Sequence, residues 1–145
     1  MKTLFLTGYE GETLEEFLKK LKKNNITSVI DIREIPLSRK NGFSKSSLEK
    51  VLASKKIKYH PFPELGSPSD MRKALHETGD YLSFFEAYRK YVKTEKSRIA
   101  DIEEIASKEK NSVLLCFEKF TDLCHRTILA SEILKDRPRM KIIQI

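Results

Sequence analysis

Five short apolar runs, KTLFLT (2–7), ITSVIDI (26–32), IKYHPF (57–62), SVLLCF (112–117) and MKIIQI (140–145), recur along the chain with amphipathic or polar segments between them. That alternation limits the possible folds more than any other feature. Strands that are apolar throughout belong inside a sheet covered on both faces, and strands separated by helices pair in parallel. The intervening segments carry helix signals. Thr13 and Glu16 have the spacing of a capping box ahead of Leu14, Phe17, Leu18 and Leu21. Ser46 and Glu49 suggest a second box opening a helix that runs to about Lys56. Pro36, Asn41 and Gly42 mark a loop, residues 70–110 accommodate two or three helices, and one further helix spans about 122–136.

The expected architecture is a single α/β domain over residues 1–145: three layers, with a mainly parallel, five-stranded Rossmann-like sheet and helices on both faces. A strand order of 3-2-1-4-5 suits right-handed crossovers. With 145 residues the chain is long enough to bury a core without a metal or a disulfide. No run approaches the roughly 20 apolar residues of a membrane helix, and the opening residues are too short for a signal peptide. The expectation is a cytoplasmic protein with reduced thiols and no membrane partner.

In an open parallel sheet, ligands bind beyond the carboxyl ends of the strands. Placing the sequence on that frame gathers most of its unusual polar residues. Tyr9 and Glu10 follow the first strand, Asp31 and Arg33 end the second, and His60 and Glu64 attend the third. Cys116, Glu118, Cys124, His125 and Arg126 follow the fourth. Glu10, Glu118, Cys124 and His125 are the candidates for chemistry. Tyr9, Asp31, Arg33, Arg39, Glu64 and Arg126 are the candidates for holding a substrate.

This edge raises several chemistries. A helix opening near Cys124-His125-Arg126 would present free N–H groups to an anion, with Arg33 and Arg126 as guanidinium forks. The same position would favour a thiolate at Cys124. A phosphatase-type cysteine loop needs an arginine six residues later, but positions 122 and 130 hold Asp and Ala. Gly8-Tyr9-Glu10-Gly11 lacks the dinucleotide fingerprint, and no Walker lysine motif is present. Cys116 and Cys124, seven residues apart, match no compact zinc module, and no metal ligand set is assigned. Carboxylates at one sheet edge also suit acid/base hydrolysis of a glycosidic bond, including that of a nucleoside. Salt bridges to the neighbouring arginines are the plain structural alternative. Tyr81, Phe84, Phe85, Tyr88, Tyr91 and Val92 recur at helical spacing and read as a core stripe.

Net charge adds a second theme. Arg33–Lys58 carries eight basic residues against Glu34 and Glu49, which is +6 of the chain's +7. A block of this kind attracts polyanions.

Four stretches, TGYEG (7–11), DIREIPLSRKNGFSK (31–45), FPELGSP (62–68) and LLCFEKFTDLCHR (114–126), occur in the order found in the domain of unknown function 488 family, which this chain resembles. One departure is Ser67, where a second glycine is common. The resemblance implies a single α/β domain and a loop-edge site; it names no reaction, and the cofactor stays unknown.

The reading that follows is an anion site for a nucleotide or nucleic-acid phosphate at the carboxyl edge, which would make the protein a hydrolase of such a substrate. Its rivals are a non-catalytic module binding nucleic acid or protein through residues 33–58, and a structural zinc domain.

Overall fold

The structure, a computed structural model, describes residues 2–36, 38, 40–118 and 125–145. Five strands form one sheet: β1 (Thr3–Gly8), β2 (Ser28–Asp31), β3 (Lys58–Pro61), β4 (Asn111–Cys116) and β5 (Lys141–Gln144). Every pairing is parallel. Among the described residues, six α-helices cover the sheet: α1 (Leu14–Lys23), α2 (Lys45–Ser54), α3 (Ser69–Thr78), α4 (Tyr81–Lys93), α5 (Lys96–Lys108) and α6 (Arg126–Asp136). The three-layer α/β expectation holds.

The helix starts follow local chemistry. At α1 the Thr13 hydroxyl accepts from the Glu16 N–H at 3.1 Å, and the Glu16 carboxylate accepts from the Thr13 N–H at 3.0 Å. This is the capping box that the spacing suggests. At α2 the expected Ser46 box does not form. The chain enters the helix two residues earlier, at Ser44, whose hydroxyl bonds the backbone of Ser38 across the preceding loop. A tertiary contact overrides the local motif there.

Strand order is the main correction. The sheet runs β3-β2-β4-β1-β5, with β4 rather than β1 in the middle. The three inner strands, β1, β2 and β4, are buried along nearly their whole length, so hydrophobic pattern alone does not choose their order. Polar detail at the strand starts does: the Ser28 and Ser112 hydroxyls, both buried, meet at 2.7 Å across the β2–β4 pair. The Thr27 N–H also donates to Asn111 O at 2.8 Å. Leaving the two serines apart would bury unpaired hydroxyls, at a cost of about 1–3 kcal/mol each.

Right-handed crossovers assign the layers. Connections running from β1 to β2 and on to β3 place α1 and α2 on one face, where Phe17, Leu21, Leu48 and Leu52 pack on Phe5, Val29, Val113 and Leu115. Return connections place α3 to α6 on the other, where Tyr88, Val92, Ile102, Leu129 and Ile133 pack on Leu4, Ile30 and Leu114. The chain therefore leaves β4 toward one layer, whereas it leaves β1 and β2 toward the other. A crevice opens between those exits, at the carboxyl end of β4.

Candidate functional site

Two glycines bring the strand exits close together. A Cβ on Gly8 would stand 1.6 Å from the Glu118 carbonyl oxygen, so the chain leaving β4 crosses directly over the end of β1. The Glu10 N–H seals this crossing by donating to Phe117 O at 2.9 Å. On the other side, a Cβ on Gly66 would lie 2.1 Å from the Glu34 nitrogen, which holds the short turn Pro63–Leu65 against the exit of β2.

Between these crossings lies a crevice of about 330 Å³, lined by Tyr9, Arg33, Cys116, Glu118 and His125 together with Glu34, Ser38, Ser67 and Arg72. Ile35 and Phe117, both about half exposed, form its apolar mouth. A second hollow of about 300 Å³ shares Ser67, Arg72, Glu118 and His125 with it and extends to His76 and Tyr81.

The crevice floor is an ion-paired network. Arg33 donates from Nε and Nη2 to the Asp31 carboxylate, at 2.7–3.1 Å, and from Nη1 to the Tyr9 hydroxyl at 3.0 Å and Phe43 O at 2.7 Å. Burial alone would lower the guanidinium pKa, but the hydrogen bonds and charge of Asp31 outweigh it and hold the group above its ordinary value. Tyr59 donates to the same carboxylate at 2.6 Å. Burial, then the Asp31 charge, raises that phenol above its usual range. Tyr9 stacks on Phe43 with ring centroids 4.3 Å apart and meets Phe117 edge-on at 5.4 Å. Lys40 is spent on backbone, donating to Tyr9 O and Glu12 O.

His125 sits at the start of α6, with Nε2 3.0 Å from Ile32 O and its ring edge-on to Tyr88 at 5.0 Å. A carbonyl only accepts, so Nε2 carries the proton of this contact. Arg126, fully buried, lies behind the crevice and donates to Cys116 Sγ at 2.7 Å, to Glu118 O at 2.5 Å and to Gln144 Oε1 at 3.3 Å. It braces the exit of β4 from inside.

Arg72 and Glu34 form the half-exposed wall. Arg72 Nη2 lies 3.0 Å from Glu34 Oε1, while its Nη1 donates to Ser67 O. The Ser69 hydroxyl and N–H also donate to Glu34. Burial would raise the Glu34 pKa, but the Ser69 and Arg72 hydrogen bonds prevail and hold it below the usual carboxylate range.

Thus the sheet edge brings Tyr9, Arg33, Glu118 and His125 into one crevice, with Asp31 beneath Arg33 and Arg126 behind. Other candidates lie elsewhere. Glu10 is exposed beyond β1 and does not line the crevice. Glu64 is bound to Arg98 at 2.8 Å. His60 stays on edge strand β3, where burial lowers its pKa. Arg39 and Cys124 lie outside the described residues. Among the described residues, no three His, Cys, Asp or Glu side chains converge as a cation site, and no helix is long and apolar enough to cross a membrane.

Two wall residues, Glu34 and Arg72, escaped the sequence reading. Glu34 follows Arg33 directly and was counted only as charge. Arg72 belongs to a helix with no signal beyond its Pro-Ser-Asp start, so only the packing of α3 against the β2 exit reveals it.

The described basic residues of the 33–58 segment do not form one surface. Arg33 is buried at the carboxyl edge, Lys58 pairs with Glu109 at 2.7 Å, and Lys55 and Lys56 emerge at the opposite edge of the sheet.

A family model described as Domain of unknown function DUF488 matches residues 13–133. No curated protein and no solved structure matches the chain.

Proposed function

The chain belongs to the family described as Domain of unknown function DUF488, a description that names no reaction, and we propose that its carboxyl-edge crevice binds and hydrolyses a nucleotide. The observation that carries this reading is the combination of an apolar mouth, Ile35 and Phe117, with a floor of arginine, carboxylate and histidine in one 330 Å³ space. Such a volume suits a small ligand. Phe117 supplies a face on which a heterocycle can stack, and Arg72 supplies a guanidinium for its anionic group.

Charge balance favours a small ligand over a polymer. Arg33 is answered by Asp31 and Arg72 by Glu34, so the crevice presents little net positive field. A polyanion would gain little from counterion release there. A single nucleotide gains from directed hydrogen bonds, which depend less on salt.

In the hydrolytic step, the Glu118 carboxylate takes a proton from water, whose oxygen bonds to the sugar C1′ while the C1′–N bond breaks. The bond electrons and a proton pass to the leaving base, and His125 is placed to exchange that proton. Arg33 and Asp31 act as the rigid floor that orients Tyr9.

Calorimetric titration with the four nucleoside monophosphates, paired with chromatographic detection of released base, tests this reading. Arg72→Ala is expected to weaken binding at least tenfold. Glu118→Gln should retain binding and lose base release. If no monophosphate binds or is cleaved, the reading fails. Binding without release in the unmodified protein would reduce it to a non-catalytic ligand site.

A further inference from the structure

A hollow of about 800 Å³ lies at the amino edge of the sheet, where α1 and α2 hand over to β2 and β3. We infer that this groove docks an acidic, amphipathic peptide segment of a partner protein. The inference is independent of the crevice, which occupies the opposite edge.

The floor is aliphatic. Leu14 and Leu18 of α1 face Ile26 and Ile57, the residues that follow the two helix ends. Leu14 and Lys22 of α1 both border the groove, so it runs for about 12 Å along the helix. That length accommodates roughly two turns of a partner helix, which would present apolar residues on one face.

The rim is basic. Lys19, Lys22, Lys55, Lys56 and Lys110 surround the floor, and Glu15 is the one acid of the lining. Glu15 is already paired with Lys19 at 3.4 Å. Among the described residues, no carboxylate lies within salt-bridge distance of Lys22, Lys55, Lys56 or Lys110. An apolar floor inside a ring of lysines is complementary to a segment with apolar residues flanked by Asp and Glu.

The backbone supplies a second, independent observation. Both helices end in the same motif. The Ile26 N–H returns to Leu21 O and the Asn25 N–H to Lys22 O, while the Ile57 N–H returns to Leu52 O and the Lys56 N–H to Ala53 O. The motif needs a left-handed residue, and glycine is the usual choice. Here Asn25 has φ 54° and Lys56 has φ 61°. Asparagine tolerates that region, but a lysine is strained in it, and the other left-handed positions among the described residues are glycines, Gly11, Gly42 and Gly79. Keeping a side chain at Lys56 adds a charge to the rim at the expense of backbone comfort.

Nucleic acid fits less well. All five cations are lysines, so no guanidinium fork is offered to phosphate, and the lining has no aromatic ring for base stacking. A membrane surface also fits less well, because the apolar residues line a concavity and do not protrude.

Panning random 12-residue peptides displayed on phage against the full chain provides the test. The expected consensus has two or three Leu, Ile or Phe residues at helical spacing, flanked by three or more acids. Replacing those apolar residues by serine in the synthetic peptide should cost at least tenfold in affinity. The paired charge reversal Lys22→Glu with Lys110→Glu, at two exposed positions, should cost at least tenfold as well. Lys56→Gly should weaken the peptide severalfold while leaving Tm unchanged or higher, which a purely structural lysine would not do. Saturating nucleoside monophosphate should not displace the peptide. The inference is overturned by the absence of a consensus, by a consensus without acids, by binding indifferent to the charge reversal, or by tighter binding of a duplex oligonucleotide or of phosphatidylserine vesicles.

Discussion

The two edges of the sheet use positive charge in opposite ways. At the carboxyl edge, three arginines are bound into the fold: Arg33 is bound to Asp31, Arg126 is fully buried against Cys116 and the Glu118 carbonyl, and Arg72 leans on Glu34. At the amino edge, cations are exposed lysines around an aliphatic floor, with a single glutamate among them. Desolvation explains the contrast. A buried guanidinium must be matched by partners or it costs several kcal/mol, whereas an exposed ammonium keeps its water and needs none. Arginines at the first edge therefore build a shaped, nearly neutral pocket, and lysines at the second leave an unspent field.

The sharpest way to break this contrast is to remove one partner of a buried pair. Asp31→Asn leaves Arg33 charged and buried, and should cost about 3–5 kcal/mol in urea unfolding. Adding Arg33→Met should recover part of that loss. If Asp31→Asn is as mild as a surface change, the carboxyl-edge arginines are not structural and the contrast fails.

Next comes the crossing over β1. Gly8→Ala must displace the Glu118 carbonyl, since its new Cβ would otherwise stand 1.6 Å away. Overpacking of this kind costs about 1–3 kcal/mol. Because Glu118 and Phe117 move with the backbone, nucleotide binding should fall more than stability does, as measured by calorimetry beside thermal unfolding.

Acid should separate the edges further. The folded pKa of Glu34 lies below its unfolded value, held there by Ser69 and Arg72 against the opposing effect of burial. Its contribution to stability is thus present above the unfolded carboxylate pKa and is lost as pH falls through the lower, folded value. Tm should decline below about pH 4.5, and less steeply in Glu34→Gln. Lys22→Gln, at the other edge and without a carboxylate partner among the described residues, should leave the acid profile unchanged.

The smallest expected effect is a gain. Lys56→Gly relieves a left-handed lysine and should stabilise the fold by about 0.5–1 kcal/mol, read as a rise in the urea midpoint. A loss of stability there would mean that the Lys56 side chain is structural, and the amino edge would lose its claim to be a charge held in reserve.

Local pattern was a sound guide wherever a residue's role depends on its sequence neighbours. The capping box of α1 and the burial of Phe84, Tyr88 and Val92 along α4 follow from spacing alone. Tyr9, Arg33, Glu118 and His125 were recognisable because each follows a strand end, and parallel strands bring such ends together. Glu64 misled for the same reason. It follows β3, but β3 is an edge strand, and the turn after it delivers the carboxylate to Arg98. The Ser46 box misled because a hydroxyl two residues earlier found a better partner across a loop.

What the amino-acid sequence determined by itself is the set of elements, their parallel α/β arrangement and the existence of a polar edge, because hydrophobic period and caps act over a few residues. Which strand stands in the middle, which arginines are consumed as braces and which lysines remain available were decided only in three dimensions. Ser28 must meet Ser112, and Arg33 must meet Asp31 and Tyr9, for buried polar groups to be satisfied. No pattern along the chain encodes that matching, since the cost of an unpaired group depends on what surrounds it after folding.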